Sequence, residues 1–212
     1  MKKTLRSLTA TAAAAALVSA GVATAAPASA ETGNRSLAKV LAADSGFDSN
    51  AKDFDALEKA VLFVLDKNPE SPVGLLTRGK QRATAFLPTD LAFSRLVTSL
   101  TGEKPANERQ AWQTARSLGA ETIEEILLYH VVPGKTLTSD KVLAARGTRV
   151  DVANGDSVRV VVRKGRVFLG DRDQEATNPE VTVLDINRGN KQVGHAVNRV
   201  LRPFSFSESR KG

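Results

Sequence analysis

Thr84-Ala-Phe-Leu-Pro-Thr-Asp-Leu-Ala-Phe93 is the stretch that decides how this chain is read. Ala83 to Leu87 is an apolar run of strand length, and Pro88 has no N–H to give to a ladder, so the strand stops there. Thr89 or Asp90 can accept a bond from a free backbone N–H and open a helix through Leu91, Phe93, Leu96, Val97 and Leu100. A second stretch, Ile126-Leu-Leu-Tyr-His-Val-Val-Pro-Gly134, reads as a helix ending at a turn. A third, Gly194-His-Ala-Val-Asn-Arg-Val-Leu-Arg-Pro203, reads as a strand that closes the domain.

Outward from these stretches the pattern changes once. On the N-terminal side, Ser36 caps a short helix carrying Leu37, Val40 and Leu41. A longer helix follows Asp53 and Asp55, with Leu57, Val61, Leu62, Val64 and Leu65 at helical spacing until Asn68-Pro69 stops it. Thr101 to Ala111 is polar and holds Gly102 and Pro105, which predicts a loop before a short helix with Trp112 and Leu118. Glu121 to His130 is a further helix, and Thr138 or Ser139 caps another through Val142 and Leu143. From Thr148 the period becomes two. Val150 and Val152 alternate with Arg149 and Asp151, Asn154-Gly155 is a hairpin signal, and Val158, Val160 and Val162 alternate with Arg159 and Arg163. Lys164-Gly165 makes another tight turn, and two more strands are expected near Val181 to Ile186 and Val193 to Val200. Helices first and strands later predict an α+β fold with an antiparallel sheet.

Residues 1–30 read as a secretory signal: Lys2, Lys3 and Arg6, an Ala-rich apolar run, then Ala28-Ser29-Ala30 before the cut. The expected products are an N-terminal extension over 31–46, a single domain over 47–204 and a polar tail over 205–212, secreted with no membrane-spanning segment left after cleavage. The absence of Cys excludes disulfides, so stability rests on the core. Removing Lys2, Lys3 and Arg6 from the 30 basic residues leaves 27 against 23 acidic, a mild +4. With one Tyr and one Trp, that balance argues against nucleic acid as a partner.

In this order, the three stretches resemble the two signature boxes and central Tyr-His motif of the fasciclin domain family. Thr84, Phe86, Pro88, Thr89, Asp90 and Phe93 match the first box; Tyr129, His130, Val132, Pro133 and Gly134 match the central motif. His195 and Val197 lie in the last box, which departs from the family pattern: Gly194 precedes His195, and Asn198 stands where Asp is common. The resemblance implies a fasciclin-like wedge of antiparallel β-strands with helices packed around it. It also implies an extracellular adhesion or binding module without catalytic activity, most like secreted single-domain bacterial members. Leu184-Asp185-Ile186 is too short to carry over the integrin-contact motifs of animal relatives.

The chemistry-bearing residues support no enzyme signature of their own. His130 and His195 have no partner at His-x-x-x-His spacing, and there is neither a Gly-x-Ser-x-Gly elbow nor a Cys nucleophile. Both histidines are read as fold elements; a protonated His130 at a helix end would also suit the helix dipole. Gly165 to Gly170 and Gly189 to Gly194 lack phosphate-loop spacing, and Asp171-Arg-Asp173 lacks a calcium-loop ligand series. No cofactor and no metal is expected. Arg149, Arg159 and Arg163 point away from their apolar neighbours and are the candidate binding surface, with Asp151 and Asp156 interleaved. The expected partner is an unidentified extracellular or cell-envelope protein or polymer. Two alternatives stand: a carrier of an apolar small molecule or lipid, which needs a large pocket, and a secreted hydrolase, which needs a histidine beside a Ser or carboxylate.

Overall fold

The computed structural model describes residues 32–43 and 46–206. The expected secretory signal, and the tail beyond Phe206, lie outside them. Strand β1 (Ala83–Pro88) is the axis of the larger sheet, and all six of its residues are buried. β2 (Val131–Pro133) pairs antiparallel on one side of it and β7 (Gln192–Val197) parallel on the other; β6 (Val181–Ile186) then pairs antiparallel with β7. The smaller sheet is an antiparallel meander of β3 (Arg149–Asp151), β4 (Ser157–Arg163) and β5 (Arg166–Gly170). The α+β class is as the sequence predicts. The all-antiparallel expectation is corrected at the β1–β7 pair. Alternation reports which face of a strand is buried and not its direction, and the long connection from β1 to β7 permits either.

The helices are α1 (Leu37–Leu41), α2 (Asp55–Lys67), α3 (Asp90–Thr101), α4 (Glu108–Arg116), α5 (Ala120–Tyr129) and α6 (Ser139–Ala144), with a 3-10 turn over Pro72–Thr77. Ser36 caps α1 as expected, its Oγ accepting from Lys39 N at 3.3 Å. The loop predicted over 101–111 is shorter: Asn107 Oδ1 accepts from Gln110 N at 2.9 Å and opens α4 at Glu108. Polar residues hide that helix, because only Ala111, Trp112 and Ala115 face inward as its apolar stripe. The hairpins follow their turn chemistry. Lys164 and Gly165 both take positive φ, at 50° and 74°, which joins β4 to β5 in the twist the strands need.

Two apolar layers enclose the larger sheet. One joins α1, α2, α4 and α5 to Ala85 and Leu87 of β1; the other joins Phe86, Tyr129 and Val197 to Val158, Val160 and Leu169 of the smaller sheet. Gly194 lies beneath Leu87 and Leu37: a Cβ there would stand 2.5 Å from Leu87 Cδ1 and 3.3 Å from Leu37 Cδ2, so a larger residue would have to push these side chains aside.

The segment entering α1 is laid along the approach to β7. Gly33 N donates to Gly189 O at 2.8 Å, Lys191 N to Gly33 O at 2.9 Å and Arg35 N to Asn190 Oδ1 at 2.9 Å. Gln192, fully buried, completes the join: its Oε1 accepts from Leu37 N at 2.8 Å, and its Nε2 donates to Leu75 O and Arg78 O at 2.8 and 3.1 Å. One side chain thus satisfies three backbone groups, of which Leu37 N is fully enclosed. Gln192→Leu is expected to lower unfolding free energy by about 2–4 kcal/mol, since those groups lose their partner with no change in side-chain bulk. Urea melts read this, and a loss below about 0.5 kcal/mol would mean that the groups find other partners.

Candidate functional site

The two histidines sit on either side of β1, with both ring nitrogens of each engaged by backbone. His130, at the end of α5, donates from Nδ1 to Ile126 O at 2.7 Å and accepts at Nε2 from Leu201 N at 2.9 Å. His195, on β7, donates from Nε2 to Leu137 O at 2.7 Å and accepts at Nδ1 from Asp185 N at 3.2 Å. Each ring needs one bare nitrogen and one protonated, so each is neutral. Burial pushes His130 down to about 4 against the pull of Ile126 O, and lowers His195 as well. The expected imidazolium at the end of α5 is therefore replaced by a neutral ring. Neither histidine has a nitrogen left to activate a nucleophile.

The remaining motif residues are distributed along the same strands. Thr84 Oγ1 donates to Lys135 O at 2.9 Å and accepts from Leu137 N at 2.7 Å, which fixes the carbonyl that His195 holds. Phe86 lies tilted against the His195 ring at 6.1 Å, and Pro88 pairs in register with Val197. Thr89 N donates to Val197 O at 3.2 Å, and the Thr89 side chain makes no cap bond to α3. Phe93 is buried. Tyr129, fully buried, reaches Ser157 O at 3.5 Å; burial, with Asp171 and Asp156 nearby, pushes its phenol up to about 12. At the position where Asp is common, Asn198 Oδ1 accepts from Glu180 N at 3.0 Å, a task that needs an oxygen and no charge.

Asp90 departs from its expected role. Its carboxylate accepts from Ala56 N at 2.8 Å and Asp55 N at 3.2 Å, so it caps α2 and not its own helix. It also belongs to a constellation that the sequence reading missed. Asp53 and Asp55 at the start of α2, Asp90 at the start of α3 and Glu108 at the start of α4 are all buried, and each offers an oxygen within 4.8 Å of the others. Glu108 Oε2 accepts from Asp48 N at 3.1 Å, and Asp55 Oδ1 from Gly46 N at 3.0 Å. Among the described residues no backbone or cationic donor reaches either oxygen of Asp53. Burial foremost, with the Asp53 carboxyl beside it, raises Asp90, and burial raises Glu108. Acids at helix starts were the available signal, but spacing along the chain could not show that three starts meet.

Arg149, Arg159 and Arg163 are exposed on the outer face of the smaller sheet. The register sets Arg149 directly opposite Arg159, and Arg163 opposite Arg166. Arg166 is held by both oxygens of Glu180, while Asp156 pairs with Arg172. Among the described residues no carboxylate pairs with Arg149, Arg159 or Arg163. Val161 and Phe168, paired and half-buried, lie between the arginines. A surface groove of about 340 Å³ runs past Arg146, Arg159, Val161 and Arg163. The apolar cavity behind β1, lined by Phe93, Trp112, Ile126 and Leu127, holds about 20 Å³. That is room for one water-sized sphere and far below the roughly 300–1,000 Å³ of small-molecule sites.

The profile of the family described as Fasciclin domain matches residues 69–203. No curated protein matches the sequence. Among solved structures, a FAS1 domain pair from the insect cell adhesion molecule Fasciclin I is similar with a TM-score of 0.50 at 16% identity, over 73% of this chain. The chain covers 48% of that domain pair, about half its length.

The neutral His130 ring carries a pH signature. The unfolded chain takes up a proton near the ordinary 6.5, and the folded chain only near 4, so His130 stabilises the fold above pH 6.5 and that contribution is lost as pH falls towards 4. His130→Gln lacks this linkage. The stability advantage of wild type over the variant is expected to shrink by roughly 2–3 kcal/mol between about pH 7.5 and about pH 4.5. A constant difference in urea melts across that range would show that the ring is open to protons in the folded state.

Proposed function

Since the chain belongs to the fasciclin domain family, we propose that it is a secreted, non-catalytic adhesion or extracellular binding module. The family is commonly tied to adhesion and is typically extracellular or at the cell surface. Among the described residues no helix is long and apolar enough to cross a membrane. The binding surface is the outer face of β3, β4 and β5, and the partner is an acidic cell-envelope or extracellular polymer.

The observation that carries this assignment is the row of arginines without counter-charge. Like charges directly opposite on neighbouring strands are destabilising, and three of the four arginines in the two facing pairs have no carboxylate partner. An anionic chain lying along the groove meets Arg159 and Arg163, one arginine from each pair. Val161 and Phe168 add an apolar strip on which the stems of a polymer can rest. The engaged histidines argue against hydrolysis, and the cavity behind β1 is too small to hold an apolar ligand.

The double variant Arg159→Glu/Arg163→Glu tests the surface. Binding to cell-envelope preparations and to polyglutamate is expected to weaken about tenfold or more, and wild-type binding is expected to fall as salt is raised. Binding that is unchanged and insensitive to salt would move the contact to the helices near β1.

A further inference from the structure

We propose that Asp53, Asp55, Asp90 and Glu108 form a binding site for a calcium ion at the meeting point of α2, α3 and α4. The donor set is entirely carboxylate oxygen, without the nitrogen or sulfur that draws zinc or copper, so the fitting ion is a hard divalent cation. The four ligand atoms lie within 4.8 Å of one another, inside the shell of about 5 Å across that oxygens form around a calcium ion. Burial selects calcium among these ions, because magnesium keeps several of its waters whereas calcium accepts a cage of protein oxygens.

Asp53 is the residue that points to a ligand. It is 9% exposed, stands within the cluster, and among the described residues neither of its oxygens receives a bond from a backbone or cationic group. Its nearest carboxyl, Asp90, is already committed to the N–H groups of Asp55 and Ala56. That carboxyl can bond to Asp53 only by keeping a proton. Among the described residues no Lys or Arg forms an ion pair with Asp53, Asp90 or Glu108. Three helix starts supply about half an elementary charge each, short of the three carboxylates of Asp53, Asp90 and Glu108. The remaining negative charge is met by bound protons or by a cation, and a calcium ion satisfies both oxygens of Asp53 where a single shared proton satisfies one.

The site is separate from the arginine face, and its test is independent of the function proposed above. The purified protein is titrated with calcium chloride in a calorimeter and melted in EDTA, calcium chloride and magnesium chloride. One saturable calcium site is expected, with the melting temperature raised by about 5–10 °C at a hundredfold excess over Kd. Asp53→Asn, whose amide can still bond to Asp90, is expected to melt in EDTA at least as high as wild type and to bind calcium at least about tenfold more weakly. Glu108→Gln is a second variant with the same expected loss. Absence of saturable calcium binding overturns the site, as does a rise in the Asp53→Asn melt with no calcium effect in either protein, the behaviour of a cluster that only shares protons. An equal response to magnesium overturns the assignment of calcium.

Discussion

The parallel pairing of β1 with β7 is the constraint on which the rest depends. It buries β1 on both faces and both edges, so water can satisfy no polar group near it. Every such group must find its partner within the protein, and the partners lie far away in sequence. His130 ties the end of α5 to Leu201, His195 ties β7 to Leu137, and Gln192 ties β7 to α1 and the 3-10 turn. These side chains are polar atoms inserted into an apolar interior at fixed points. They specify which backbone passes where, whereas the surrounding Leu and Val residues supply burial without direction.

That division explains what the sequence could disclose. Apolar runs, Pro88 and the turn pairs Asn154-Gly155 and Lys164-Gly165 act over a few residues, so β1, α5 and the meander were legible. The capping of α2 by Asp90 and of α6 by Asp185 acts across the fold. Asp90 beside its own helix gave the right residue and the wrong helix. Arg149, Arg159 and Arg163 were legible as outward-facing by alternation, but their like-charge pairing depends on register. The four acids became a group only when three helices met. The start of helix α4 was read several residues too late because its polar face is wide and its apolar stripe is three residues.

The fold also separates its two charged features by role. The acids are enclosed at helix starts, where burial makes their charge costly and any ion must bind in a defined cage. The arginines stand in water on a sheet face, where solvent screening keeps each contact weak and only several together hold a partner. The histidines, despite their place in the signature motifs, are committed to holding backbone. A module of this kind is suited to presenting a surface, since its interior polar groups are spent on rigidity.

The segment from Gly33 to Leu37 lies parallel to the chain entering β7, bound to it by successive backbone and side-chain bonds. Tension applied between this segment and the far end of β7 runs along the strands. It therefore loads those bonds together in shear, where a hairpin pulled from its open end would release them one at a time. The way this segment is joined to the approach to β7 thus sets the direction in which the fold resists force.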